Sequence, residues 1–228
     1  MNTDKPIAGL APAMSHRATP PLPHNPDVVI ESEQRVWDQR FPLDVIRFRH
    51  RRFDGAMSGV RTWELWRRGR AAALLPYDPI ADKVVLIEQF RFPAFAAHQD
   101  PVLVEFPAGL CEDGEDPETT IRREMIEEMH MSADRLERIG GFLLTPGGCD
   151  EHVELFAGRV TAPATGPDGI AWHAGEPGEH EDIRVRVWSA TEAIDAALAG
   201  TFTNSVTAIG LLWLAARRDW LRERWRTP

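Results

Sequence analysis

The sequence predicts a mixed α/β domain. Three observations predict it. Short runs alternate apolar and charged residues, as half-buried strands do. A well-capped acidic helix lies in the middle of the chain. Two more helical segments close it.

The elements follow in chain order. Residues 1–27 are rich in Pro and small polar residues and read as a poorly ordered arm. From Val28 to Arg68 the chain reads as short strands. LDVIRFRHRRF (43–53) alternates apolar and basic residues, FDGAMSG (53–59) is a turn, and VRTWELWRR alternates again. This predicts an N-terminal β-meander over 28–69, broken at Gly69, with a second region over 70–228. AAALLPYDP (71–79) is a continuous apolar run ending in a Pro/Asp turn, and KVVLIEQFRF (83–92) reads as a buried strand. VLVEFPAG (102–109) is a short strand that stops at Pro and Gly.

The acidic helix is expected from about Pro117 to about Met131, with Asp116 as its cap and Pro117 at its first position. Helical spacing puts Ile121, Met125, Ile126 and Met129 on one side and Glu124, Glu127 and Glu128 on the adjoining side. LERIGGFLL (136–144) and HVELFAGRV (152–160) read as strands around the loop TPGGCDE. Residues 161–180 read as a long loop and DIRVRVWS (182–189) as an alternating strand. SATEAIDAALAG is a helix capped by Ser189 or Thr191 and stopped at Gly200. The last helix runs from about Asn204 to Trp225.

Composition excludes several functions. The chain has 228 residues, and its net charge of −9 argues against a sequence-independent nucleic-acid binder. No apolar run is long enough to span a membrane, and the N-terminus lacks the pattern of a secretory signal. A cytoplasmic location follows by default. Cys111 and Cys149 are too few for a disulfide scaffold and read as reduced thiols.

Glu124, Glu127 and Glu128 stand at i, i+3 and i+4, so their charges repel unless a cation lies among them. A hard divalent ion such as Mg²⁺ suits carboxylate oxygens and commonly works on phosphate substrates.

The segment resembles the box of the Nudix hydrolase family, G-x5-E-x7-R-E-U-x-E-E-x-G-U, where U is a bulky apolar residue. Here Gly109, Glu115, Arg123, Glu124, Met125, Glu127, Glu128 and Met131 match. His130 stands where the family has Gly, which puts the helix exit in question, not the carboxylates. QFRF, EFPAGL, EDGE, TPGG and EDIRV resemble the ADP-ribose pyrophosphatase branch, and Pro146 matches a substrate marker of that branch. The likeness covers roughly residues 35–215.

The resemblance implies an α/β/α sandwich of mixed sheet, with the N-terminal meander serving for dimerisation. It implies hydrolysis of ADP-ribose to AMP and ribose 5-phosphate with Mg²⁺, or alternatively Mn²⁺. The metal ligands would be Glu124, Glu128, Glu181 and the Ala108 carbonyl. Glu127 would bind a further ion or hold the ligands in place, and Arg123 reads as structural. Glu179 matches the general-base position, with Glu151 as another candidate base. Arg91 matches a diphosphate contact, and Glu105 would bond a ribose hydroxyl or position its loop. Trp37 and Trp63 match tryptophans that sandwich adenine, one from each subunit of a homodimer, and Arg68 lies near the same nucleotide. The alternatives are the same chemistry on another nucleoside diphosphate sugar or a dinucleotide, or a nucleotide-sensing module without catalysis.

Overall fold

The computed structural model describes residues 19–175 and 181–226. Most of the N-terminal arm and Glu179 of the acidic loop therefore lie outside the described residues. The chain divides into two compact units. One holds the residues up to Gly69 together with Thr145–Glu151, and the other holds Arg70–Leu144 and His152–Pro228.

The first unit is built on three antiparallel strands in the order β1-β2-β3: β1 (Val28–Trp37), β2 (Leu43–His50) and β3 (Arg61–Trp66). All ten residues of β1 are exposed. The loop at 145–151 joins this unit through backbone bonds, Trp66 N–H to the Gly148 carbonyl (2.8 Å) and Asp150 N–H to the Trp66 carbonyl (3.2 Å). Charge satisfies the buried polar groups. Arg67 bonds Asp150 (2.8 Å) and the nearly inaccessible Asp44 (3.2 Å). The Arg35 and Arg67 guanidiniums hold the Asp44 carboxyl below the usual range, against burial, which acts to raise it.

The second unit is a mixed sheet with helices on both faces. Its strands are β4 (Arg70–Asp78), β5 (Lys83–Phe90), β6 (Val102–Glu105), β7 (Ala108–Leu110), β8 (Arg135–Leu143), β9 (His152–Arg159), β10 (Ile170–Ala174) and β11 (Ile183–Ser189). The main order is β10-β11-β5-β4-β9-β8, with β6 on β5 and β7 on β4. β4 and β9 run parallel, whereas the other pairs are antiparallel.

The unbroken apolar run in β4 reflects burial on both faces. Ala71, Ala73, Leu75 and Tyr77 pack with α3 (Ala190–Leu198) and α4 (Ser205–Trp225) on one side. Ala72 and Leu74 pack on the other with Ile121, Met125 and Met129 of α2 (Pro117–Met129).

Several expectations need adjustment. A short helix, α1 (Phe92–Ala96), follows β5, and β10 occupies part of the expected loop at 161–180. The apolar stripe of α2 is narrower than the helical angles suggest, because Ile126 is exposed. Ser189, not Thr191, caps α3, in a reciprocal box with Glu192.

Candidate active site

Helix α2 is fixed at both ends. At its start the Asp116 carboxylate accepts from Glu118 N–H (3.0 Å) and Thr119 N–H (3.1 Å), and Pro117, having no N–H, needs no acceptor. At its end His130 takes the left-handed conformation expected of the family's glycine (φ 52°, ψ 35°). His130 N–H bonds the Ile126 carbonyl (3.0 Å) and Met131 N–H bonds the Met125 carbonyl (3.1 Å), which closes the helix. The imidazole adds a contact from Nδ1 to the Ile126 carbonyl (3.1 Å), with Nδ1 necessarily the donor. The unusual residue thus leaves the exit geometry intact.

The carboxylates lie between this helix and β7. Glu128 is buried, and one of its oxygens accepts from Ala108 N–H at 2.9 Å. Glu124 packs directly on the Gly109 backbone. A Cβ at position 109 would stand 2.6 Å from Glu124 Cγ and closer still to the carboxylate. The glycine is required here for close approach.

Burial pushes the Glu128 carboxyl well above the usual carboxylate range. The charges of Glu124 and Glu181 raise it further, while the Ala108 N–H and Arg91 oppose them. Burial also raises Glu124, against the pull of Arg123.

Arg123 holds the cluster together. Its guanidinium bonds Glu124 (2.8 Å), Glu127 (2.8 Å) and Glu115 (3.3 Å). Burial acts to lower its pKa, but these carboxylates raise it. Glu115 is tied in turn to Glu112 N–H and the Thr120 hydroxyl (3.0 and 2.9 Å).

On the sheet, Arg91 bonds Glu105 (2.8 Å), and Glu105 also accepts from Asn204 Nδ2 (2.6 Å). Asn204 caps α4 through Thr207 N–H (3.0 Å), and the Thr207 hydroxyl accepts from Phe106 N–H (3.2 Å). The helix start thereby fixes the carboxylate that orients Arg91. Glu105 is thus tied both to Arg91 and to the cap of α4, contacts that suit the positioning of its loop. Asn204 is legible in the sequence as a cap, but its second bond, spanning 99 residues, is not.

The second unit thus gathers Arg91, Glu105, Ala108, Glu124, Glu127, Glu128 and Glu181 on its α2 side. Trp37, Trp63, Arg68 and Glu151 belong to the first unit. There Arg68 pairs with Glu151 (2.9 Å) and lies over the rings of Phe41 and Trp66. Trp63 Nε1 donates to the Gly147 carbonyl (2.8 Å).

Trp37 pairs with Leu43, and Trp63 pairs with Ile46. Leu43 and Ile46 are three apart on β2, so the two indoles leave opposite faces of this sheet.

Among the described residues, no three His, Cys, Asp or Glu side chains already converge as a metal cage. The donor set nevertheless fits a divalent cation. It consists of hard carboxylate oxygens whose mutual repulsion and burial both favour added positive charge.

A model of the NUDIX domain matches residues 67–206, which is more than half of the chain. The chain belongs to the NUDIX family. It is 40% identical over 200 residues to the ADP-ribose pyrophosphatase of Escherichia coli strain K12, covering 87% of this chain and 93% of that one. The Haemophilus influenzae ADP-ribose pyrophosphatase is 37% identical over 204 residues, covering 88% and 91%. The GDP-mannose pyrophosphatase of Cronobacter sakazakii is 33% identical over 155 residues, covering 68% and 78%. A solved structure described as an ADP compounds hydrolase superposes with a TM-score of 0.60 at 18% identity, covering 89% of this chain and 98% of that one. That likeness concerns the fold. No helix among the described residues is long and apolar enough to cross a membrane.

Proposed function

We propose that this NUDIX enzyme hydrolyses the diphosphate of ADP-ribose to AMP and ribose 5-phosphate with Mg²⁺ or Mn²⁺. One observation carries the chemistry: buried Glu128 and half-buried Glu124 lie side by side against Ala108 and Gly109, with Glu181 acting on both. The named relatives support the substrate.

Glu124, Glu128, Glu181 and the Ala108 carbonyl would hold the cation, and Glu127 with Arg123 keeps Glu124 in place. A cation bound there would offset the charge of the diphosphate and make the attacking water more acidic. Arg91, aimed by Glu105, binds a phosphoryl oxygen. Water attacks one phosphorus, the anhydride P–O bond breaks, and the water proton passes to a carboxylate base. Glu179 is that base, with Glu151 the alternative. The pairing of Glu151 with Arg68 favours a binding role for Glu151.

Residues 28–69 form the dimerisation region and 70–228 the hydrolase domain. Adenine stacks between Trp37 of one copy and Trp63 of another, near Arg68. The exit of the two indoles on opposite sheet faces and the exposure of Val29, Val36 and Trp37 along β1 support this arrangement.

The GDP-mannose relatives favour a second reading, the same hydrolysis on another nucleoside diphosphate sugar. A panel of ADP-ribose, GDP-mannose, other nucleotide sugars and dinucleotides separates the two. The highest kcat/KM is expected for ADP-ribose, and a clear preference for GDP-mannose would reverse the assignment.

A further inference from the structure

Glu181 follows directly on residues 176–180, yet its place is set by described neighbours. Gly175, at the end of β10, has φ +106°, a conformation that L side chains rarely adopt. A Cβ there would stand 2.9 Å from both the carbonyl oxygen and the Cβ of Glu181, and 3.1 Å from its carbonyl carbon. Two of these three atoms are backbone, so no rotamer change in Glu181 makes room. Two residues on, fully buried Ile183 begins β11 opposite Ala174 and Gln89.

Gln89 is buried on the face of β5 that packs towards α2, and its Nε2 donates to Glu181 Oε1 over 3.5 Å. Its Oε1 has no hydrogen-bond partner among the described residues, and the side chain lines a cavity of about 370 Å³ beside Glu181. A buried carbonyl without a donor is unfavourable. Such a group persists where an occupied site brings it a donor, and water in a cation's hydration shell is one.

We infer that Gln89 and Gly175 are positioning residues for Glu181, aiming its carboxylate at the cation held by Glu124 and Glu128. This rests on the proposed metal role of Glu181. Gly175 fixes the backbone from one side by having no Cβ. Gln89 fixes the carboxylate from the other through its amide nitrogen, and its amide oxygen accepts from the ion's water. Neither residue touches a reacting atom.

The test uses the full chain with Gln89→Met, Gly175→Ala, Glu181→Gln, and Gln89→Met combined with Glu181→Gln. Mn²⁺ alone is titrated and free ion is counted by electron paramagnetic resonance. The metal midpoint of hydrolysis is measured in parallel. Gln89→Met should weaken Mn²⁺ binding by about tenfold, the usual consequence of losing an outer-sphere partner. The hydrolysis midpoint should shift equally, while KM at saturating metal and the melting temperature stay near wild type. In the Glu181→Gln background, Gln89→Met should cost distinctly less than in the wild type, because only the contact of its amide oxygen with the ion's water remains to be lost. Gly175→Ala should weaken binding at least as much.

Unchanged Mn²⁺ binding in Gln89→Met would overturn the inference, as would a full additional loss in the Glu181→Gln background. If Gly175→Ala does not fold, the Gln89 cycle decides alone. A wrong substrate would instead appear as poor ADP-ribose turnover by the wild type, with the Mn²⁺ isotherms and the cycle unaffected.

Discussion

Gly109→Ala tests whether the placement of Glu124 is what the box glycine secures. The added Cβ would stand 2.6 Å from Glu124 Cγ, whereas ordinary contact begins at 3.4 Å, so the Cγ must retreat by about 0.8 Å and the carboxylate further. The backbone at 109 is not in the left-handed region, so alanine adds no dihedral strain. The clash falls on the flexible end of a glutamate, so folding should suffer by only about 1 kcal/mol. Catalysis has no such slack. Misplacing a positioned group by about 1 Å costs on the order of 100-fold in rate, or about 2.7 kcal/mol of transition-state stabilisation. The assay is kcat/KM for ADP-ribose across a Mg²⁺ titration, with thermal melts in parallel. The expected result is a roughly 100-fold fall with a raised metal midpoint and a nearly unchanged melt. Activity within threefold of wild type at the same metal midpoint would refute the reasoning.

The remaining predictions concern the supports of the site. His130→Gly removes the cost of a left-handed non-glycine residue and should stabilise the protein by about 1 kcal/mol, or about 2–4 °C in Tm. A lower Tm would mean that the imidazole contact with Ile126 outweighs that cost. Asn204→Asp keeps the cap of α4 but sets a carboxylate against Glu105, so it should lower Tm and kcat/KM more than Asn204→Ala does. If only the cap mattered, Asp would be the milder change. Glu124 and Glu128 have folded pKa values raised above 4.5. Between the unfolded and folded values the native state binds more protons, so their contribution to stability falls as pH rises. A cation competes with those protons, so the Tm gain on adding Mg²⁺ should grow with pH above about 4.5. A gain independent of pH would count against both carboxylates as ligands.

How much of this was legible depended on the range of each interaction. The box helix, its Asp116 cap and its buried Ile121, Met125 and Met129 follow from local spacing, and the sequence places them within two residues. β10 escaped because its AWHA segment lies among Gly, Pro and acidic residues that signal loop. It becomes a strand only by pairing with β11. Helix α1 escaped because one turn of five residues carries no period. At the site, residue identities were legible but partners were not. The bond from Asn204 to Glu105 joins residues 99 apart, a distance at which no local spacing pairs them. Helical angles put Ile126 on the buried side, but they define a stripe and not where the covering sheet ends, and Ile126 is exposed.

The same asymmetry explains how the fold tolerates its own active site. Burying an ionised carboxylate costs several kcal/mol, and Glu128 sits beside the charges of Glu124 and Glu181. The Ala108 N–H and the charge of Arg91 repay only part of that cost, and Arg123 reaches Glu115, Glu124 and Glu127 but has no bond to Glu128. The compensation comes from the other side of the helix. Ile121, Met125 and Met129 are almost completely buried, each worth about 1.5–3 kcal/mol, and both helix ends are capped. The sheet therefore imposes the arrangement on the carboxylates. Burial and mutual repulsion raise both carboxyls, and a divalent cation placed among them relieves the same repulsion that a proton does.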